Sequence, residues 1–175
     1  MLERLTHLSV KTRLIVMAVG MGAILVIVNS QIAIKQSIIE NGSMMLLRLA
    51  PRDPRSLLQG DYMALRYAMA NQVAQAAKTA QLTDGRIVVD LASNGEASFA
   101  GLYQGQSLGQ NQRLLRFRKR GDSVRLASDA YLFEEGQWQT YANVRFGELR
   151  VSEDGEAVLT GLRDDHGNRM GHALH

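Results

Sequence analysis

The sequence predicts a mainly β (α+β) chain, an N-terminal transmembrane helix followed by one small antiparallel β-rich domain. Three observations carry that expectation. An unbroken apolar run occupies Leu14 to Val28. From Gly85 on, short alternating segments are separated by glycine-bearing turns. The 175-residue length leaves room for an anchor and one compact domain, roughly 130 residues, which can bury a core without metal or disulfide staples. With 0 Cys, disulfides and thiolate metal sites are excluded.

Charge narrows the classes of partner. The formal net charge is +3, from 20 basic and 17 acidic residues. The first 13 residues hold Arg4, Lys11 and Arg13 against Glu3, which leaves 17 basic and 16 acidic residues beyond them. The sequence pI near 9.4 therefore comes from the N-terminal tail. A nearly balanced folded part is no footprint for a polyphosphate backbone, so no nucleic acid is expected.

The anchor is assigned to residues 14–34. Asn29, Ser30 and Gln31 dilute the apolar run before Ile32, Ala33 and Ile34. A helix of about 21 residues rises about 31 Å, close to the hydrocarbon thickness of a bilayer. A cleaved signal shares the basic-then-apolar layout, but this run exceeds a usual signal core and no clear small-x-small site follows it. Basic residues near the two ends favour residues 1–13 as a cytoplasmic tail and place the domain outside the cytoplasm: Arg4, Lys11 and Arg13 precede the helix, Lys35 and Arg48 follow it. Gly20 and Gly22 are two apart, not the four of a small-xxx-small face.

A juxtamembrane linker, 35–43, leads into a β-rich domain assigned to 44–163. Met44 to Leu49 reads as a first strand, ending at Pro51. Pro51 and Pro54 fix their own φ and push the preceding residues out of the helical region, so Ala50 to Arg55 reads as a rigid corner. Asp61 to Met69 alternates, with Met63, Leu65, Tyr67 and Met69 on one face, the mark of a half-buried strand. Asn71 to Gln81 is rich in Ala and Gln, hence a short helix. Further strands are expected at 86–91, 98–103, 113–119 and 123–127. Gln137 to Arg145 fits helix or strand. Glu148 to Val151 and Glu156 to Leu162 flank Ser152-Glu153-Asp154-Gly155, and the Asp-Gly pair supplies the positive φ of a hairpin turn. Residues 164–175 read as a flexible tail.

Across the corner and its strand the chain reads LLRLAPRDPRSLLQGDYMALRY. This resembles the bacterial GDYXXLXY family, whose pattern falls here on Gly60, Asp61, Tyr62, Leu65 and Tyr67. Glu40, Gly42, Asp53-Pro54-Arg55, Leu57-Leu58, YLFEEGQW and GELRVSEDGEAVLTGL are similar too. Arg52 stands where the family often has valine. The resemblance implies a small bacterial protein of uncharacterised activity with an N-terminal hydrophobic helix, of a kind often thought to work beside multipass membrane proteins, and the expected location is the inner (plasma) membrane. It carries no catalytic residue and no cofactor.

The side chains that could bear chemistry sort mostly into structure. Asp53, Arg55 and Asp61 could form a bidentate carboxylate–guanidinium group. It would lock the corner together with Pro54 and Gly60, or else receive a polar ligand. Tyr62 and Tyr67 should face opposite ways, one in the core and one on the surface. The same stretch is similar to type I signal peptidases, but Pro51 stands where their serine is needed. Ser43-Met44 lies upstream, and Lys78 and Lys119 have no matching context, so acyl transfer lacks a nucleophile and base. Glu134 and Glu135 read as a solvated turn. His166, His172 and His175 lie in the tail, where no preorganised metal site is expected. Arg116 and Arg118 should share a solvated face with Phe117 opposite. The expected function is that of a membrane-tethered extracytoplasmic interaction or accessory protein, with a small-ligand or envelope-component binder as the alternative and a hydrolase third.

Overall fold

The computed structural model describes residues 9–50, 62–133 and 137–171 of the chain. It divides into two compact units, residues 1–37 and 38–175, each considered by itself.

The first unit holds most of helix α1, Val10–Asn41. Ser9 begins it as an N-cap, its hydroxyl accepting the Thr12 backbone N–H at 3.3 Å. The helix is long and apolar enough to cross a membrane, and none of its most apolar window is buried by the rest of the chain. It runs through the stretch expected as a linker, because no proline or glycine follows Gly22 until Gly42. There the Gly42 N–H closes on the Ile38 carbonyl at 2.9 Å. A Cβ at Gly42 would collide with that carbonyl and come within 3.0 Å of the Val151 nitrogen, so the turn into the domain needs glycine.

The second unit is built on antiparallel strands. In chain order they are β1 Ser43–Arg48, β2 Tyr62–Ala64, β3 Asp84–Leu91, β4 Ala97–Leu102, β5 Gln112–Arg120, β6 Ser123–Arg125, β7 Ala130–Leu132, β8 Phe146–Val151, β9 Ala157–Arg163 and β10 Arg169–Met170. One helix, α2 Ala70–Thr79, interrupts them. One sheet has the order β1-β8-β9-β10, a second β4-β3-β5-β6, and β2 pairs with β7 in a two-stranded ribbon. Met45, Leu47, Leu149 and Leu162 from the first sheet meet Ile87, Val89, Leu115 and Phe117 from the second. Val73 and Ala77, four apart on α2 and fully buried, pack into the same core.

The segment expected as one strand from Asp61 to Met69 keeps its alternation but not its length. Met63, Leu65, Tyr67 and Met69 are buried, whereas Arg66 and Ala68 are exposed. Only Tyr62–Ala64 pairs as strand, because β7 is three residues long. Beyond it the backbone changes partner. The Leu65 N–H reaches Asp129 O at 2.7 Å, Ala68 N–H reaches Arg48 O at 2.9 Å, and Ala50 N–H reaches Arg66 O at 2.8 Å. The period-two burial thus continues through a stretch that hands its hydrogen bonds from β7 to the end of β1.

The hairpin read around Asp154-Gly155 joins β8 to β9. Gly155 has φ +90°, and its carbonyl accepts the Arg116 N–H of β5 at 2.8 Å. A Cβ there would sit 3.2 Å from Leu114 and Arg116 backbone atoms, so conformation and proximity both require glycine. Gln137–Tyr141 is a 3-10 turn. The segment after Arg163, expected to be flexible, forms a hairpin over its described residues. Asp164 Oδ1 accepts the N–H groups of His166 and Asn168 at 3.0 and 2.8 Å, Gly167 turns with φ +82°, and β10 pairs with β9. Arg169 covers Gly161, where a Cβ would stand 2.8 Å from its Nε.

Candidate functional site

The residues expected to matter most fall in two groups. Asp53, Pro54, Arg55, Gly60 and Asp61 lie outside the described residues, as does the side-chain placement expected of Tyr62, whose backbone opens β2 opposite Leu132. Leu65 and Tyr67 are buried, 6% and 5% exposed, inside the core. The second half of the motif is therefore a packing element.

Tyr67 shows why tyrosine fits this position. Its backbone bridges Leu49 antiparallel, its ring lies against Gly147 of β8, and its hydroxyl donates to the Ser128 carbonyl at 3.0 Å. A Cβ at Gly147 would lie 3.2 Å from the ring. Burial foremost, then the nearby Asp129 carboxylate, raises the phenol pKa well above its ordinary value, with Arg125 opposing. The hydroxyl stays protonated and keeps its donor role.

Beside the motif segment lies a cleft of about 600 Å³. Ala64, Ala68 and Ala74 are among its lining residues, as are Arg66, Arg120 and Arg125. Arg125 pairs with Asp129 at 3.0 Å. The cleft could accept a polar or anionic small molecule, which is the chemistry of the ligand-binding alternative.

Among the described residues no group of three or more His, Asp or Glu side chains could hold a metal. His166 is exposed and lies 3.6 Å from Asp165, while His172 and His175 are outside the described residues. Glu134 and Glu135 are outside them as well. On β5, Arg116 and Arg118 are exposed and Phe117 is buried, as the alternation predicts. Arg116 pairs with Glu156, and Arg118 lies in register with Asp84, so the basic run is partly neutralised on its own sheet.

Two polar clusters escaped the sequence reading. Glu148 is buried, 5% exposed, and its carboxylate accepts Arg163 Nε at 2.6 Å, with Arg169 at 3.9 Å and Thr160 Oγ1 at 3.4 Å. Arg48 grips Glu96 through two bonds, 2.7 and 3.0 Å, and lies 4.7 Å over the Phe146 ring. No local pattern marked either cluster, because the partners are far away in sequence.

Two measurements check these assignments. Tyr67→Phe should keep the fold and lower the unfolding free energy by about 1 kcal/mol, the usual net worth of one hydrogen bond, measured by denaturant titration in mild detergent. The hydrogen bond from Arg48 foremost holds the Glu96 carboxyl below the usual range, with desolvation opposing it and the Arg48 charge adding to it. A carboxylate depressed on folding stabilises the protein above its unfolded pKa, and that stability disappears as pH falls through the folded value. Arg48→Met should therefore flatten the acid limb of the stability profile while changing little of its slope above neutrality.

The sequence pattern of the GDYXXLXY protein family matches residues 24–162, from within α1 to the end of the core of β9. No curated protein and no solved structure matches the chain. The match covers most of the sequence and includes the motif, the corner and the late hairpin, so the chain belongs to the GDYXXLXY protein family.

Proposed function

We propose that the chain is a membrane-tethered accessory protein whose domain acts outside the cytoplasm by contact with another, multipass membrane protein. The observation that carries this reading is α1, a 32-residue helix whose apolar window finds no cover within the chain. The uncovered apolar side chains of residues 14–34 are costly in water, and a bilayer matches that stretch in length and chemistry. Arg4, Lys11 and Arg13 before the span support a cytoplasmic N-terminus, and the bacterial origin that the resemblance implies would make the membrane the inner one. The corner with Asp53, Arg55 and Asp61 is the proposed contact, because Leu65 and Tyr67 on its flank are already committed to the core.

A second reading draws on the cleft beside the motif, which Arg66, Arg120 and Arg125 line together with several alanines. There the domain would bind a small ligand or an envelope component rather than a protein. One experiment separates the two. Affinity purification of the full chain from native membranes in mild detergent should recover a multipass protein at near-equal stoichiometry, and Arg55→Ala with Asp61→Ala should reduce that recovery. Recovery of the chain alone, with controls in order, would overturn the accessory reading and move ligand binding to first place.

A further inference from the structure

Asn29 is the chemical irregularity of α1. Counting back from Ile34 at 1.5 Å per residue, its side chain lies about 7 Å inside the apolar span. One amide N–H donates to the Leu25 carbonyl at 2.8 Å. The other N–H and the amide oxygen have no partner among the described residues, whereas the neighbouring Ser30 hydroxyl is satisfied by the Ile27 carbonyl at 2.7 Å. Gln31 is closer to the span's end and long enough to extend toward the headgroups.

Hydrocarbon can neither accept the spare N–H nor donate to the oxygen. At 3.6 residues per turn Gly22, Leu25 and Ile32 share the face of Asn29, while Gly20, Ile24 and Ile27 point away. All these side chains are unburied by the chain itself, so the face is open. A carboxamide is donor and acceptor at once and therefore complements its own copy. Two chains inserted with the same topology also hold Asn29 at the same depth, a match that a helix from an unrelated protein would have to reproduce by its own sequence.

We propose that α1 pairs with α1 of a second copy as a parallel two-fold dimer, closed by reciprocal Asn29–Asn29 amide hydrogen bonds along the face of Gly22, Leu25 and Ile32. The inference rests on the reading of α1 as membrane-spanning. Interhelical amide pairs fix register and partner number even where their net energy is small.

The absence of cysteine from the sequence gives a clean test, since any introduced thiol reports its own position. Single substitutions Gly22→Cys, Leu25→Cys and Ile32→Cys on the proposed face, and Ile24→Cys and Ile27→Cys away from it, are made in the full chain and oxidised in native membranes. The dimer predicts disulfide-linked pairs of this chain from the first set and little from the second, with a several-fold drop when Asn29→Leu is added to Leu25→Cys. Equal yields around the helix, no linked pairs, or no effect of Asn29→Leu would overturn the pairing. Linkage of the Asn29 face to a different polypeptide would overturn it in favour of a partner helix. Alkaline washing of the same membranes distinguishes the deeper failure: a chain released into the supernatant would overturn the spanning helix and the pairing with it.

Discussion

The structure depends first on a mismatch of solvents. The chain folds a domain whose core is complete in itself and carries a helix whose apolar side chains it leaves uncovered. Each fully exposed Leu, Ile or Val costs roughly 1.5 kcal/mol or more relative to burial, so the helix by itself is costly in water. On the proposed reading the bilayer supplies the missing cover. The domain then has no need to keep an apolar face for its own anchor, and its charge is nearly balanced, 17 basic against 16 acidic residues beyond the first 13.

Within the domain a comparable role falls to the short segment from Tyr62 to Met69. It is too brief to be an ordinary strand, yet it exchanges backbone bonds with β7 on one side and with the end of β1 on the other. Its inward side chains, Met63, Leu65, Tyr67 and Met69, fill the core between the two four-stranded sheets. Tyr67 adds a buried hydroxyl fixed on Ser128. The second half of the motif, Leu65 and Tyr67, is thus committed to packing in the core.

Legibility in the sequence followed the range of the interactions. The long helix was plain from composition, and the β8–β9 turn from Asp154-Gly155, because both are decided by neighbouring residues. The inward face of Met63, Leu65, Tyr67 and Met69 was readable from period two, but the early end of β2 was not. Burial alternates identically whether the backbone pairs with a strand or with a loop. The helical course of residues 35–41 had a signal, the lack of any breaker before Gly42, that polarity obscured. The buried Glu148 was unreadable because Arg163 and Arg169 meet it only through sheet register, whereas the hairpin after Arg163 carried a local signal in Asp164 and Gly167 that the polarity of the segment obscured. Of the candidate site, the core half was legible; the cleft was not, because its arginines come from separate segments at 66, 120 and 125.

The central claim is that α1 spans the membrane once, with residues 1–13 inside and the domain outside. The direct measurement is labelling of single cysteines, Thr6→Cys and Ser123→Cys, in intact cells with a thiol reagent that cannot cross the inner membrane. The account predicts labelling of the chain at position 123 and protection at position 6 until the cells are broken. Labelling at position 6 with protection at 123 would reverse the orientation, and equal labelling or equal protection of both would contradict a single crossing.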